Sequence, residues 1–98
     1  MKFLILQRIR QSSVEEWSKL LPAHFKYLDD LEKQGKVELS YHLIGQQGDV
    51  LIVNASSDEE LSEIVGEDPM FFHGEREVYP LTTRDVHKKR LKKLLGKK

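Results

Sequence analysis

The 98-residue chain predicts an α+β fold: a ferredoxin-like β-α-β-β-α-β protomer with an antiparallel sheet and a C-terminal helix. Three observations carry this. Apolar residues alternate with period two near residues 2–9 and 37–43, an uninterrupted apolar run fills Val50–Val53, and a helical stripe runs between the first and second of these segments. The chain is short enough for one domain, which buries a modest share of its surface and gains from a partner.

The first strand reads from Phe3, Ile5, Gln7 and Ile9 on one face and Leu4, Leu6 and Arg8 on the other, so its start is apolar on both sides. Its four-residue apolar core is too short for a signal sequence or a membrane span, and no targeting signal is expected. Ser12-Ser13 then offers a helix cap, Glu15 and Glu16 suit the first turn, and Val14, Trp17, Leu21, Leu28 and Leu31 form an apolar stripe. Pro22 falls inside this helix and predicts a kink or break near Leu21, because it removes a backbone donor. Gly35 closes the helix.

Val37, Leu39, Tyr41 and Leu43 alternate with Glu38, Ser40 and His42 as a half-buried strand. A Gly45–Gly48 loop joins it to Val50–Val53, which makes a hairpin. Ser56–Glu60 starts a second helix with Leu61, Ile64 and Val65 on one face, and Asp68-Pro69 prevents its continuation. Met70–Gly74 is an aromatic-rich approach to the last strand, Glu75–Leu81.

Charge divides the chain. Residues 1–83 hold 8 Lys/Arg against 15 Asp/Glu, whereas residues 84–98 hold 8 basic residues against Asp85 alone. The expected organisation is a domain over 1–83 and a basic helix or tail over 84–98. Val86, Leu91, Leu94 and Leu95 make that tail weakly amphipathic. It lacks aromatic residues to stack on bases, so nucleic acid is not the expected partner, and a solvated or subunit-docking helix is. Cysteine is absent, which excludes disulfides, thiolate catalysis and cysteine-based metal sites and fits a cytoplasmic protein. The four histidines, His24, His42, His73 and His87, are too scattered for a metal motif, and the chain has no phosphate loop or Gly-x-Ser-x-Gly elbow.

The residues Gly35–Gly45, Gly48-Asp49-Val50-Leu51-Ile52-Val53, Ser57–Leu61 and Asp68-Pro69-Met70, leading into Glu77-Val78-Tyr79-Pro80-Leu81, resemble the muconolactone delta-isomerase-like family over roughly residues 2–83. His24 with Leu28, and the Asp-Pro before the last strand, also resemble the YCII-like proteins. Both groups belong to the dimeric α+β barrel superfamily. The resemblance implies a homo-oligomer, a dimer or larger, in which helices cover one sheet face and a partner sheet the other. It also implies a cofactor-free isomerase or lyase that moves a proton in a small unsaturated carboxylic acid or lactone. The chain departs from the family's named enzyme at Ala23-His24, at Tyr41-His42 and at Thr82–Asp85.

Candidate site residues follow. His24 lies on the helical stripe, so it faces the sheet; it is either a proton-transfer residue or a core histidine bonded to a backbone carbonyl. Asp68 is either the orienter of that imidazole or ordinary turn chemistry before proline. Candidate substrate contacts are Tyr41, expected on the buried face of its strand, His42 on the polar face, and Phe71, Phe72 and His73 on the aromatic loop. No metal and no cofactor is expected. A non-catalytic module of the same fold, binding a small ligand or another protein, is the alternative.

Overall fold

The computed structural model describes residues 1–10 and 13–96. The elements are β1 (Lys2–Ile9), α1 (Val14–Lys33), β2 (Val37–His42), β3 (Gly48–Asn54), α2 (Asp58–Gly66), a 3-10 turn (Phe71–His73), β4 (Gly74–Leu81) and α3 (Arg84–Leu95). The strands form one antiparallel sheet in the order β2-β3-β1-β4. This is the ferredoxin-like arrangement that the sequence predicts.

Each helix starts where a side chain satisfies a free backbone donor. The hydroxyls of Ser13, Ser57 and Thr83 accept from the amides of Glu16, Glu60 and Val86 at 3.2, 3.1 and 3.2 Å. Ser12 and Lys97-Lys98, parts of the expected cap and tail, lie outside the described residues. At the end of α1, Gly35 takes φ +74°, its amide donates to Glu32 and the Lys36 amide to Leu31, a Schellman closure that only a residue at ease with positive φ can make. Of the kink or break expected near Leu21, the break is absent: α1 runs unbroken from Val14 to Lys33 with Pro22 inside it. One missing donor is outweighed by the buried stripe of His24, Leu28 and Leu31 that ties the helix to the sheet.

The core lies between the sheet and the two helices, from Phe3, Ile5, Leu51, Val53 and Val37 below to Leu28, Leu31 and Ile64 above. The strand registers fix which residues share that face. Arg76, Gln7, Asp49 and His42 lie opposite one another across β4, β1, β3 and β2, so a single polar row crosses the whole sheet on its helix side.

The second strand corrects one expectation. Tyr41 is 62% exposed and lies on the face away from the helices. The cause is a bulge between Val37 and Leu39. One extra residue shifts the alternation, so Val37 stays buried while Leu39 and Tyr41 turn to the open face and Ser40 and His42 to the helix side. With Leu4, Leu6, Val50, Ile52, Tyr79 and Leu81 they form an apolar open face. The third helix buries none of its residues. Among the described residues no helix is long and apolar enough to cross a membrane.

Candidate active site

The site begins with an imidazole that has no route to water except through a cavity. His24 sits in the middle of α1, one turn before Leu28, and is 3% exposed. A buried histidine needs partners for both ring nitrogens, and here both partners are carboxylates. Nδ1 meets Asp68 Oδ1 at 2.8 Å and Nε2 meets Asp49 Oδ2 at 3.1 Å. The ring is thus held by acids and not by a backbone carbonyl.

Asp68 is placed by its own turn. Its Oδ1 also accepts the Met70 amide at 2.9 Å, the usual Asx bond before a 3-10 turn, and its Oδ2 faces Arg76 Nη2 at 3.4 Å. Turn chemistry and imidazole contact therefore coexist in one side chain. Arg76 in turn donates from Nε to Gln7 Oε1 at 3.1 Å and from Nη1 to the Phe71 carbonyl at 2.9 Å, and its guanidinium lies 5.1 Å from the centre of the Phe71 ring. Two basic and two acidic side chains, all largely buried, are interlocked.

Burial opposes a charge on His24, but its hydrogen bonds to Asp49 and Asp68 and the attraction of both carboxylates outweigh that cost and raise its pKa to about 9. Burial likewise favours neutral Asp68, yet the bonds from His24 and the Met70 amide, with the charges of His24 and Arg76, hold its carboxyl below the usual range. The ring of Tyr27 stacks on His24 with centroids 6.4 Å apart. Its hydroxyl donates to the Ile64 carbonyl, and burial, followed by Asp68, raises its pKa.

On the Asp49 side the cluster opens into a cavity of about 240 Å³. Ile9, Trp17, Leu21 and Phe25 wall it, and His24, Asp49, His42 and Gln47 supply its polar side chains. Two buried side-chain atoms in the described residues lack a hydrogen-bond partner, and both belong to the polar row: Gln7 Nε2 and Asp49 Oδ1. A wider cleft of about 410 Å³ between α1 and α2 reaches neither acid nor His24, and its Lys26 and Asp30 already pair at 2.8 Å. The smaller cavity is the one that borders the buried His24–Asp49 pair.

The structure therefore brings His24, Asp68 and His42 to one region and leaves the other candidates elsewhere. Phe71 stands behind Arg76, outside the cavity. Phe72 is 81% exposed with its ring edge-on to Phe71, and the His73 carbonyl accepts the Arg10 amide at 2.8 Å. Asp49, Gln7 and Arg76 join the site without having been singled out from the sequence. The available signal was positional: Gln7 continues the Phe3 and Ile5 face, and Asp49 abuts the apolar run of β3. No group of three potential metal ligands with a suitable arrangement occurs among the described residues.

Fold and site together define a ferredoxin-like protomer with an acid-bound histidine buried between its first helix and its sheet. The chain belongs to the YCII-related domain family, whose match spans residues 1–85. Solved structures share the fold, these two among them. One is 5-chloro-2-hydroxyhydroquinone dehydrochlorinase (TftG) from Burkholderia phenoliruptrix AC1100 in complex with 2,5-dihydroxybenzoquinone, 23% identical, covering 88% of this chain and 98% of that one, with a TM-score of 0.72. The other is muconolactone isomerase, 16% identical, covering 86% and 91%, with a TM-score of 0.79. No curated protein matches the chain.

Proposed function

We propose that this protein is a cofactor-free isomerase or lyase that moves a proton in a small unsaturated lactone or carboxylate, with His24 as the proton-transfer residue and Asp68 as the residue that positions it. The observation that carries this is the buried His24 ring, fixed by carboxylates at both nitrogens beside an apolar-walled cavity. A histidine needed only for packing has no use for two buried acids, whose desolvation is costly. With a pKa of about 9 the ring carries its proton at neutral pH, so its natural part is the acid's. The names of the two proteins that share the fold, a dehydrochlorinase and an isomerase, support a reaction of this type.

The same reading takes the functional unit to be a homodimer or larger assembly built on residues 1–83, with 84–98 as an appended segment. Its support is the open sheet face, where Leu39, Tyr41, Tyr79 and Leu81 are all more than a third exposed.

The test is turnover of unsaturated lactones, muconolactone included, by the wild-type protein and by His24→Gln. Turnover lost on substitution, with the fold kept, is the expected result. A panel inert to the wild-type protein, or turned over equally by both, would sink the catalytic reading in favour of a ligand-binding module.

A further inference from the structure

A proton shift needs an acceptor as well as a donor, and a histidine that rests protonated is not that acceptor. The cavity offers a second group. Asp49 is 8% exposed, borders the cavity, and commits only Oδ2 to His24. Its Oδ1 is buried without any partner. A buried carboxylate short of one hydrogen bond is expensive to keep, and since Oδ1 has no accessible surface of its own, a ligand in the cavity meets the rest of the Asp49 side chain, which is 11% open.

We propose that the Asp49 carboxylate is the proton acceptor of this site, with His24 as the matching donor, and that the molecule it acts on is an uncharged unsaturated lactone. The inference rests on the proton-transfer reading above and assigns the base that reading lacks. The backbone of β3 fixes Asp49 beside Gly48, and its register partner Gln7 lies on β1 with its own amide nitrogen unpartnered, so the carboxylate is mounted on the two interior strands of the sheet.

The ligand's charge follows from the lining. Neither lysine nor arginine borders the cavity, and His24 already faces two acids. A substrate carboxylate would meet Asp49 with nothing free to neutralise it. A neutral ring suits Trp17, Leu21 and Phe25.

For a lactone with its double bond at the β,γ position the step balances as follows. The α C–H bond breaks, its proton passes to the Asp49 carboxylate, and the electron pair is delocalised over the carbonyl and the double bond as a dienolate. The Nε2 proton of His24 then goes to the γ carbon, where that pair forms the new C–H bond. The proton on Asp49 returns to His24 across their 3.1 Å contact, and the site is restored with no oxidant or reductant.

The experiment separates the two halves by NMR in D2O with α-angelica lactone, a neutral β,γ-unsaturated lactone, as the probe. It follows both α-hydrogen exchange and net isomerisation. The wild type is expected to do both. Asp49→Asn is expected to lose both by about 10²-fold or more, whereas His24→Gln loses isomerisation and keeps exchange. Exchange retained in a folded Asp49→Asn protein, or lost in His24→Gln as well, would return proton removal elsewhere and overturn the assignment while leaving a catalytic His24 standing. A wild type that acts on neither the probe nor muconolactone would remove both the assignment and the reading beneath it. Should Asp49→Asn not fold, Asp49→Glu keeps the charge against His24 and displaces the oxygen; it is expected to lose exchange at an unchanged melting temperature, and full exchange overturns the assignment. A wild type that turns over muconolactone, an acid, faster than the neutral lactone would overturn the claim about substrate charge.

Discussion

The two faces of the sheet invert the usual order of burial. The helix-covered face, which should be dry and apolar, carries a row of polar residues from Arg76 through Gln7 and Asp49 to His42, with His24 and Asp68 above it. The open face, which in a lone chain meets water, is apolar from Leu39 and Tyr41 to Tyr79 and Leu81. Buried charge costs free energy and exposed apolar surface leaves some unclaimed, so neither face is explained by the stability of one chain. On the function proposed above, the difference teaches that each face is arranged for a second molecule: a small one beneath the helices and, on the other side, another sheet.

The largest expected effect comes from breaking the polar face. Asp68→Ala leaves His24 and Arg76 buried without their shared carboxylate, and is expected to destabilise the fold by about 3–5 kcal/mol in chemical denaturation. A loss below about 1 kcal/mol, the range of an exposed pair, would mean that the cluster is solvated and the contrast between the faces false.

Next comes pH. The raised pKa of His24 means that its ion pairs contribute fully below 6.5 and that this contribution fades as pH rises through about 9. It amounts to about 3 kcal/mol by linkage. The groups that set it are Asp68, after α2, and Asp49, on β3, with Arg76, His42 and Tyr27 around them. Asp68 behaves oppositely: its depressed pKa stabilises above its unfolded value and is lost as acid protonates it. His24→Gln should flatten the alkaline limb and leave part of the acid limb; an unchanged alkaline limb in that variant would detach His24 from the pH dependence.

Backbone spacing beside Asp49 supplies a smaller effect. A side chain at Gly48 would collide with the Gln7 carbonyl and press on Leu43 Cδ1 at 3.0 Å, so Gly48→Ala is expected to cost about 1–3 kcal/mol. A neutral result would show that β1 and β3 can part there without disturbing the site.

The opposite face is sharpened by Tyr41→Lys, which should leave the fold intact but shift the protein from dimer to monomer in light scattering; a dimer unchanged in mass would place the interface elsewhere. Smallest of all, deletion of residues 84–98 should leave the unfolding midpoint unmoved, since α3 buries nothing.

Much of this fold was legible because its signals are local. Alternation, caps and the Asp-Pro stop each occupy a few consecutive residues and agree with one another. His24 was legible for the same reason, since its place on the α1 stripe requires no knowledge of the sheet. Asp49, Gln7 and Arg76 were not, because a lone polar residue in a strand reads as solvent-facing until its neighbours across the sheet are known. Tyr41 was misplaced by a single bulge at Val37–Leu39, which changes the phase of a strand without changing its composition. At Pro22 the break, one of the two outcomes expected, does not occur: the local cost is real, but tertiary contacts hold the helix together.

The most direct measurement is the ionisation of His24 itself, followed by ¹⁵N NMR of its ring nitrogens as pH is raised. An imidazolium at pH 7, bonded at both nitrogens and titrating near 9, is the result that a ring clamped between Asp68 and Asp49 requires. A ring already neutral at pH 7 would contradict it, and with it the acid's role given to His24.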